Sequence, residues 1–222
     1  MPLPWNPRSA SIVAFAVCLC YAILRYHVAK EVSWSHLPLW TTNKALALAS
    51  VSLICGSYWS ARLGFEAPWP QCLGLSGYGL LALHSVASLL LFSPDHYAKF
   101  FTDGSTSSLN FVGELSMLFG VLALGCFSCA AISSLPGTKA AISKDDWLKW
   151  QKVGAVGLYL TLGHVVVMGA NVDLNHWLDP TEWPRLAFIP LPSITLVASL
   201  VILSTLILRF QSISARKSRS SQ

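Results

Sequence analysis

The chain has 222 residues, of which 54% are apolar and 11% are charged, and its formal net charge is +5. Its mean hydropathy is +0.55, and because soluble domains carry roughly 25% charged residues, this composition excludes an ordinary soluble globular protein. It predicts an all-α polytopic membrane protein with a single domain over residues 1–222 and no room for a soluble catalytic domain.

Apolar runs predict six membrane-spanning helices, each long enough to cross a hydrocarbon core of about 30 Å. In chain order the six spans cover residues 9–28, 45–64, 73–92, 110–133, 152–171 and 188–208. No A-x-A-like cleavage site follows the first run, so we interpret it as a span and not as a signal peptide. Before the fifth run, Ser143 followed by Asp145 and Asp146 predicts the start of an amphipathic helix that leads into the span.

The distribution of lysine and arginine predicts the orientation of this six-helix bundle. If both termini lie on one side, that side carries ten of these residues and the other side carries five, namely Arg25, Lys30, Lys44, Lys99 and Arg185. By the positive-inside rule both termini are then cytosolic. The basic tail at residues 216–219 faces anionic lipid in this arrangement, so the net charge requires no nucleic-acid partner.

Cysteines fall in the spans or at their edges, which argues against a disulfide scaffold. Cys126 and Cys129 form a CxxC pattern, but it lies in the middle of a span, whereas a redox CxxC needs a helix N-terminus to stabilise its thiolate. We therefore expect all six to be small packing residues. They are Cys18, Cys20, Cys55, Cys72, Cys126 and Cys129.

Two histidines lie inside the apolar runs, His84 in the third and His164 in the fifth. Imidazole is costly in hydrocarbon unless it has a partner. Both odd-numbered spans run outward, and at about 1.5 Å per residue both histidines lie some 16–18 Å from the inner edge. Two imidazoles at one depth on two helices can ligate the same haem iron, which predicts a six-coordinate haem suited to electron transfer.

Two alternatives compete with a haem at this pair. The histidines could be unrelated core residues, each hydrogen-bonded to a backbone carbonyl or to a serine or threonine. A zinc site is less favoured, because no cysteine, aspartate or glutamate lies at the same depth with ligand spacing. The remaining histidines fall at or beyond the outer ends of the spans, where we expect surface roles. They are His27, His36, His96 and His176.

Each of the two apolar histidines follows the same glycine pattern, G-x-x-G-x6-H. The glycines are Gly74 and Gly77 before His84, and Gly154 and Gly157 before His164. Because seven residues make almost two helical turns, Gly77 and Gly157 stand nearly below their histidines on the same helix face. Bare backbone there leaves room for a flat cofactor or for close contact between helices.

Several segments resemble the six-transmembrane domain of the STEAP metalloreductases, over residues 37 to 208. LPLWTTNKALALASVSL is similar to the start of that family's second span, and LGLSGYGLLALHSVASL to its third. Glu114 precedes SSLPG at the family's spacing. DDWLKWQKVGAVGLYLTLGH is similar to the inner loop and fifth span, and EWPRLAFIPLPSITLVASLVIL to the sixth.

The resemblance implies one b-type haem with His84 and His164 as its axial ligands, and a flavin such as FAD at the inner face. It also implies reduction of Fe(III) or Cu(II) outside, in a homotrimer. Gln151 occupies a flavin-side position, and Lys44 at the outer end of the second span could pair with a haem propionate. The chain departs from the family before its third span, where Gln71 and Cys72 replace a basic residue and a glutamine.

These observations predict a membrane cytochrome that passes single electrons from an inner-side donor through one haem to an outer-side acceptor. The sequence has no G-x-G-x-x-G motif after a strand, so the expected donor is flavin from a separate NAD(P)H–flavin reductase, and any ferric or cupric reductase activity needs that partner. The alternative is a haem-containing relay or structural subunit of a larger membrane complex without metalloreductase activity. A third hypothesis is a haem-free scaffold or transporter.

Overall fold

The computed structural model describes residues 6–66, 68–102, 108–170 and 177–220, without the side chains of 170 and 212–220. Nearly all regular structure in these ranges is helical, which confirms the predicted all-α class. In chain order the helices are α1 (Pro7–Ile23), α2 (Thr42–Arg62), α3 (Trp69–Leu90), the short α4 (Pro94–Tyr97), α5 (Phe111–Ser134), the short α6 (Pro136–Ala141), α7 (Lys144–Ala170) and α8 (Ile194–Ser220).

Shorter elements cap the long helices at their ends. A π-helical turn, Leu24–Val28, extends α1, and a second, Leu37–Thr41, precedes α2. Single 3₁₀ turns cover Trp34–His36 and Ala98–Phe100. Before α8, strands β1 (Arg185–Leu186) and β2 (Ile189–Pro190) form a small antiparallel hairpin.

Among the described residues, five helical segments are long and apolar enough to cross a membrane, which indicates an integral membrane protein. They are Pro7–Val28, Trp69–Leu90, Phe111–Ser134, Lys144–Gly169 and Ile194–Gln211. The predicted span at 45–64 also forms a helix, the 21-residue α2, but α2 is not among these five.

Helix α2 is less apolar than its neighbours because it lies at the centre of the bundle. It packs against α1, α3 and α8, and ten of its residues are buried, among them the polar Asn43 and Ser50. A helix surrounded by protein can carry small and polar residues at its contacts, whereas a helix that faces lipid needs apolar ones. The low hydropathy of α2 therefore follows from its central position.

Two predicted boundaries differ from the structure for local reasons. The predicted lead-in and the fifth span are one continuous helix, α7, whose first turn is capped by Ser143: the Asp146 backbone N–H donates to Ser143 Oγ at 3.1 Å. The sixth helix begins at Ile194 instead of residue 188. Pro190 and Pro192 lack a backbone N–H and do not continue a helix, and Ser193 caps α8 by accepting from the Leu196 N–H at 3.0 Å.

The bundle consists of two close helix pairs, α2 with α3 and α5 with α7, and α8 contacts both pairs. The largest apolar cluster joins α1, α2, α5, α7 and α8. By contrast, α3 makes few contacts with α5, which leaves space between the two pairs. All six cysteines are free thiols on these helices, with Cys18 and Cys55 buried.

The two ends of the bundle carry different residues. At one end, which we call the Lys44 end, Tyr21 Oη donates to the Pro192 carbonyl at 2.5 Å, and Asn43 Nδ2 donates to Ser88 Oγ at 3.0 Å. At the other, the Gln151 end, Gln71 Nε2 donates to the Ser134 carbonyl at 2.7 Å. The C-terminal ends of α1 and α3 and the N-terminal ends of α2 and α8 therefore lie at the Lys44 end, and the C-terminal end of α5 lies at the Gln151 end. Successive long helices thus run antiparallel.

Candidate functional site

His84 and His164 line the same cavity, of about 270 Å³, in the half of the bundle nearest the Lys44 end. His84 comes from α3 and His164 from α7, so the two imidazoles belong to the two different helix pairs. The volume is close to the lower limit of about 300 Å³ that is typical of small-molecule pockets. Most of the remaining lining is apolar, including Leu81, Leu124 and Val165.

A carbonyl group from α2 holds the His84 ring in place. His84 Nδ1 lies 2.7 Å from Asn43 Oδ1 and 3.2 Å from the Asn43 backbone oxygen. Ser88 Oγ, one turn further along α3, lies 3.4 Å from the same nitrogen. Asn43 is 1% exposed, and its amide also donates to Ser88, so the oxygen that faces His84 is fixed by its surroundings.

The His164 ring is held in an equivalent way by α5. Its Nδ1 lies 2.8 Å from the Ser116 backbone oxygen and 3.3 Å from Ser116 Oγ. Ser116 is buried at 4% exposure. The backbone oxygen makes the shorter contact, so the position of the His164 ring depends mainly on the helix backbone.

Every hydrogen bond of the two rings among the described residues is made at Nδ1. A carbonyl oxygen only accepts, so Nδ1 of each ring carries the proton and donates. The neutral tautomer then leaves a lone pair on Nε2, and both residues line the cavity. A fixed Nδ1–H with a free Nε2 is the arrangement of a metal-ligating histidine.

The two glycines that precede the histidines lie in helix contacts and do not line this cavity. A Cβ at Gly77 would lie 2.9 Å from the Ile54 backbone nitrogen of α2, and a Cβ at Gly157 would lie 3.1 Å from the Phe127 ring of α5. The sequence pattern left room either for a flat cofactor or for close contact between helices. At both glycines the structure shows close helix contact. These glycines bring each histidine helix close to its neighbour.

A different glycine, Gly120 on α5, borders the His164 ring inside the cavity. A Cβ there would lie 3.3 Å from His164 Nδ1. Gly113, Ser116 and Gly120 form one row of small residues along α5 that faces the cavity. The spacing of three and four residues is visible in the sequence and could have identified this face of α5.

Lys44 lines the cavity and lies among aromatic rings. Its Nζ is 4.3 Å from the Trp40 ring centroid, 5.5 Å from that of Tyr26 and 5.7 Å from that of Tyr97. None of the described carboxylates pairs with it. Nearby, the Nζ of the exposed Lys99 donates to the Met168 carbonyl at 2.7 Å. Partial desolvation and the charge of Lys44 lower the pKa of Lys99.

A second cavity, of about 350 Å³, lies at the Gln151 end between α2, α3, α5 and α7. Gln151 Nε2 lies 3.0 Å from Ser134 Oγ and 3.2 Å from Ser133 Oγ. The buried indole N–H of Trp147 has no hydrogen-bond partner, and Lys139 Nζ lies 5.4 Å from the Trp147 ring centroid. An unpaired donor and a cation therefore border this cavity.

The histidines expected at the surface divide into two kinds. His36 and His96 are exposed, as predicted. The prediction is wrong for His27, which is 5% exposed and bonded at both nitrogens, to the Val32 carbonyl and to Thr41 Oγ1, each at 2.8 Å. The π-helical turn after α1 places it inside. His176 lies outside the described residues.

In the part of the chain that the structure describes, no three His, Cys, Asp or Glu side chains gather as a metal site. The cavity's possible iron ligands include His84 and His164 along with the thioethers of Met117 and Met168. Searches against protein-family models and against curated proteins give no match for this chain. The geometry described above, together with the sequence, is therefore the basis of the functional argument.

Proposed function

We propose that this protein is a membrane cytochrome that holds one b-type haem between α3 and α7, with Nε2 of His84 and of His164 as its axial ligands. The observation that carries the proposal is the matched state of the two rings. Each is fixed at Nδ1 by a carbonyl oxygen, and each residue lines one apolar cavity. Carbonyl bonds at Nδ1 also suit unrelated core histidines, so the proposal depends on the one cavity that both residues line and on the Nε2 of each ring, which bonds to no described residue.

The chain's own residues suit a haem that transfers electrons. Haem held by His84 and His164 would supply one-electron redox chemistry. Asn43 and Ser116 orient the imidazoles and raise their basicity as ligands. The apolar lining excludes water, and Lys44 in the cavity lining supplies a cation for a propionate carboxylate.

We further propose that α2 spans the membrane along with the five apolar helices, which gives six spans. Its 21 residues are enough for the hydrocarbon core, and its central position accounts for its composition. The excess of lysine and arginine around the Gln151 end then places that end and both termini in the cytosol. The haem lies towards the outer side.

The cavity at the Gln151 end is the proposed entry point for electrons. An unpaired Trp147 N–H, the Lys139 ammonium and the Gln151 amide suit a flavin, whose ring carries carbonyl acceptors and whose phosphates are anionic. On this proposal a separate NAD(P)H–flavin reductase, with FAD as the carrier, delivers electrons here. The likeness to STEAP metalloreductases supports this route, the outer acceptor Fe(III) or Cu(II), and a homotrimer.

A pyridine haemochrome assay on the purified full-length protein tests the proposal. We expect a b-type spectrum with one haem per chain, and reduction of that haem when reduced flavin and a flavin reductase are supplied. Protein that is folded and monodisperse but has no Soret band would overturn it. If the haem is present but reduced flavin does not reduce it, the proposed electron donor is wrong and the proposed haem site stands.

A further inference from the structure

Two exposed histidines from different loops meet at the Lys44 end. His36 ends the 3₁₀ turn before α2, and His96 lies in the short helix α4 after α3. Their ring centroids are 6.3 Å apart and the rings are nearly perpendicular, at 81°. The two histidines lie 60 positions apart in the chain, so the fold brings this pair together.

Both rings have nitrogen atoms available to a ligand. His96 Nδ1 lies 3.2 Å from Ser93 Oγ, which leaves Nε2 without a partner among the described residues. His36 makes ring contacts with Trp40 and His96 only, and no described residue hydrogen-bonds to its imidazole. Each histidine can therefore offer one ring nitrogen to a metal ion from solvent.

We propose that His36 and His96 form a binding site for Cu(II) at the outer face, where the ion is held as the electron acceptor. Imidazole binds copper well, and Cu(II) binds most tightly among the divalent first-row ions to a given nitrogen site. Metal–imidazole bonds are about 2.0–2.1 Å long, so rings whose centroids are 6.3 Å apart can share one ion when a nitrogen of each ring faces it from opposite sides. Water fills the other positions, which suits an ion that must arrive and leave.

The pair lies beside the His84–His164 cavity. The Trp40 ring contacts His36, at a centroid distance of 6.3 Å, and also Lys44, at 4.3 Å, and Lys44 lines that cavity. Tyr97, the residue after His96, lines it too. One aromatic side chain therefore separates the proposed copper ion from the cavity.

The redox step requires one electron and no change in covalent bonds. Cu(II) would gain one electron and become Cu(I), and the one-electron donor would be the reduced haem that His84 and His164 would hold. Cu(I) prefers softer ligands than water and imidazole, so it leaves readily to a thiol or thioether. This step rests on the proposed function, whereas the binding of Cu(II) does not.

Titration of the purified full-length protein, free of any histidine tag, with Cu(II) tests the binding. Electron paramagnetic resonance should show one bound Cu(II) per chain with nitrogen ligands. Replacing either histidine, as His36→Ala or His96→Ala, should weaken binding by about tenfold or more. Ser35→Ala, a change beside His36 on the same exposed turn, is the matched control and should bind as the parent does.

Equal Cu(II) binding by the parent and by both histidine variants would overturn the site, as would a parent that does not bind copper. Because both side chains are exposed, the variants should fold, and an unchanged elution profile in detergent checks this. Copper binding in protein that lacks haem would leave this site standing and remove the proposed function. Haem in a protein that does not bind copper would leave the proposed function standing and remove the copper site.

A kinetic measurement tests the redox role separately. Protein reduced with dithionite is mixed with Cu(II) or with ferricyanide, which needs no histidine ligand, and haem oxidation is followed in the Soret band. We expect both histidine variants to slow oxidation by Cu(II) and to leave oxidation by ferricyanide unchanged. Equal rates with Cu(II) for parent and variants would contradict the role of this pair as the acceptor site.

Discussion

At the scale of single residues, the partners of the two cavity histidines differ in one useful respect. His84 depends on a side-chain oxygen, Asn43 Oδ1 at 2.7 Å, whereas His164 depends on the Ser116 backbone oxygen at 2.8 Å. A side-chain acceptor can be removed by mutation, but a backbone acceptor remains. The two rings therefore provide a matched pair of experiments on how a second residue orients a ligand.

Asn43→Leu should weaken haem binding by about 10–100-fold, the usual effect of losing the residue that orients a metal-ligating histidine. Ser116→Ala should leave binding nearly unchanged, since it removes only the longer 3.3 Å contact from Ser116 Oγ. Haem transfer to apomyoglobin measures both. Equal losses in the two variants would mean that these contacts support packing and not the ligands.

Residue identity alone could predict the histidine pair but not its partners. His84 and His164 stand out because imidazole is rare in apolar segments. Ser116 could not be recognised in this way, because its contribution comes from a carbonyl that every residue has. The surface role predicted for His27 is wrong because a π-helical turn, which leaves no strong sequence signal, turns the side chain towards Thr41.

At the scale of elements, the glycines of α3 and α7, the helices that carry His84 and His164, have a different structural role from a glycine of α5. Gly77 and Gly157 allow neighbouring helices to touch, and Gly120 keeps space beside His164. The repeated G-x-x-G-x6-H pattern could predict that glycine matters near each histidine. It could not show which neighbour each glycine faces, because that depends on how the helices pair.

Gly120→Leu should abolish haem binding while the bundle still forms, because the new side chain starts 3.3 Å from His164 Nδ1 and fills the cavity. Gly125→Leu, on the same helix, is the control: nothing lies within 4 Å of a Cβ there. The absorbance ratio of haem to protein measures the effect. Haem retained in full by Gly120→Leu would place the cofactor elsewhere.

Gly77→Ala should destabilise the bundle by about 1–3 kcal/mol, since overpacking against the Ile54 backbone forces α2 and α3 apart. Gly79→Ala, two residues along, meets open space and should be neutral or slightly stabilising. Thermal unfolding in detergent compares them. A stable Gly77→Ala protein with altered haem absorbance would instead favour a direct role at the cofactor.

At the scale of the whole molecule, hydropathy identifies five of the long helices, and α2 is the exception. The sequence predicts that residues 45–64 form a helix, but it does not show that three other helices surround it. A helix enclosed by protein can carry polar residues that a lipid-facing helix cannot, so a hydropathy criterion leaves α2 out. The predicted start of the last span, at residue 188, differs from the observed helix start at Ile194 because prolines and the Ser193 cap fix that end.

The number of spans can be tested by parity. Six spans place both termini on one side of the membrane, and five place them on opposite sides. We expect short epitope tags at Met1 and at Gln222 to be protected together in intact cells and to become accessible together after permeabilisation. Accessibility of one tag alone in intact cells would mean that α2 does not cross.

The most direct test of the account is the absorption and paramagnetic resonance spectrum of the protein when each proposed ligand is removed. The parent should show a low-spin haem with two imidazole ligands. His84→Ala and His164→Ala should each become high-spin or lose haem, and the double variant should carry none. A low-spin spectrum that survives the double variant would contradict the central claim that these two histidines hold one iron.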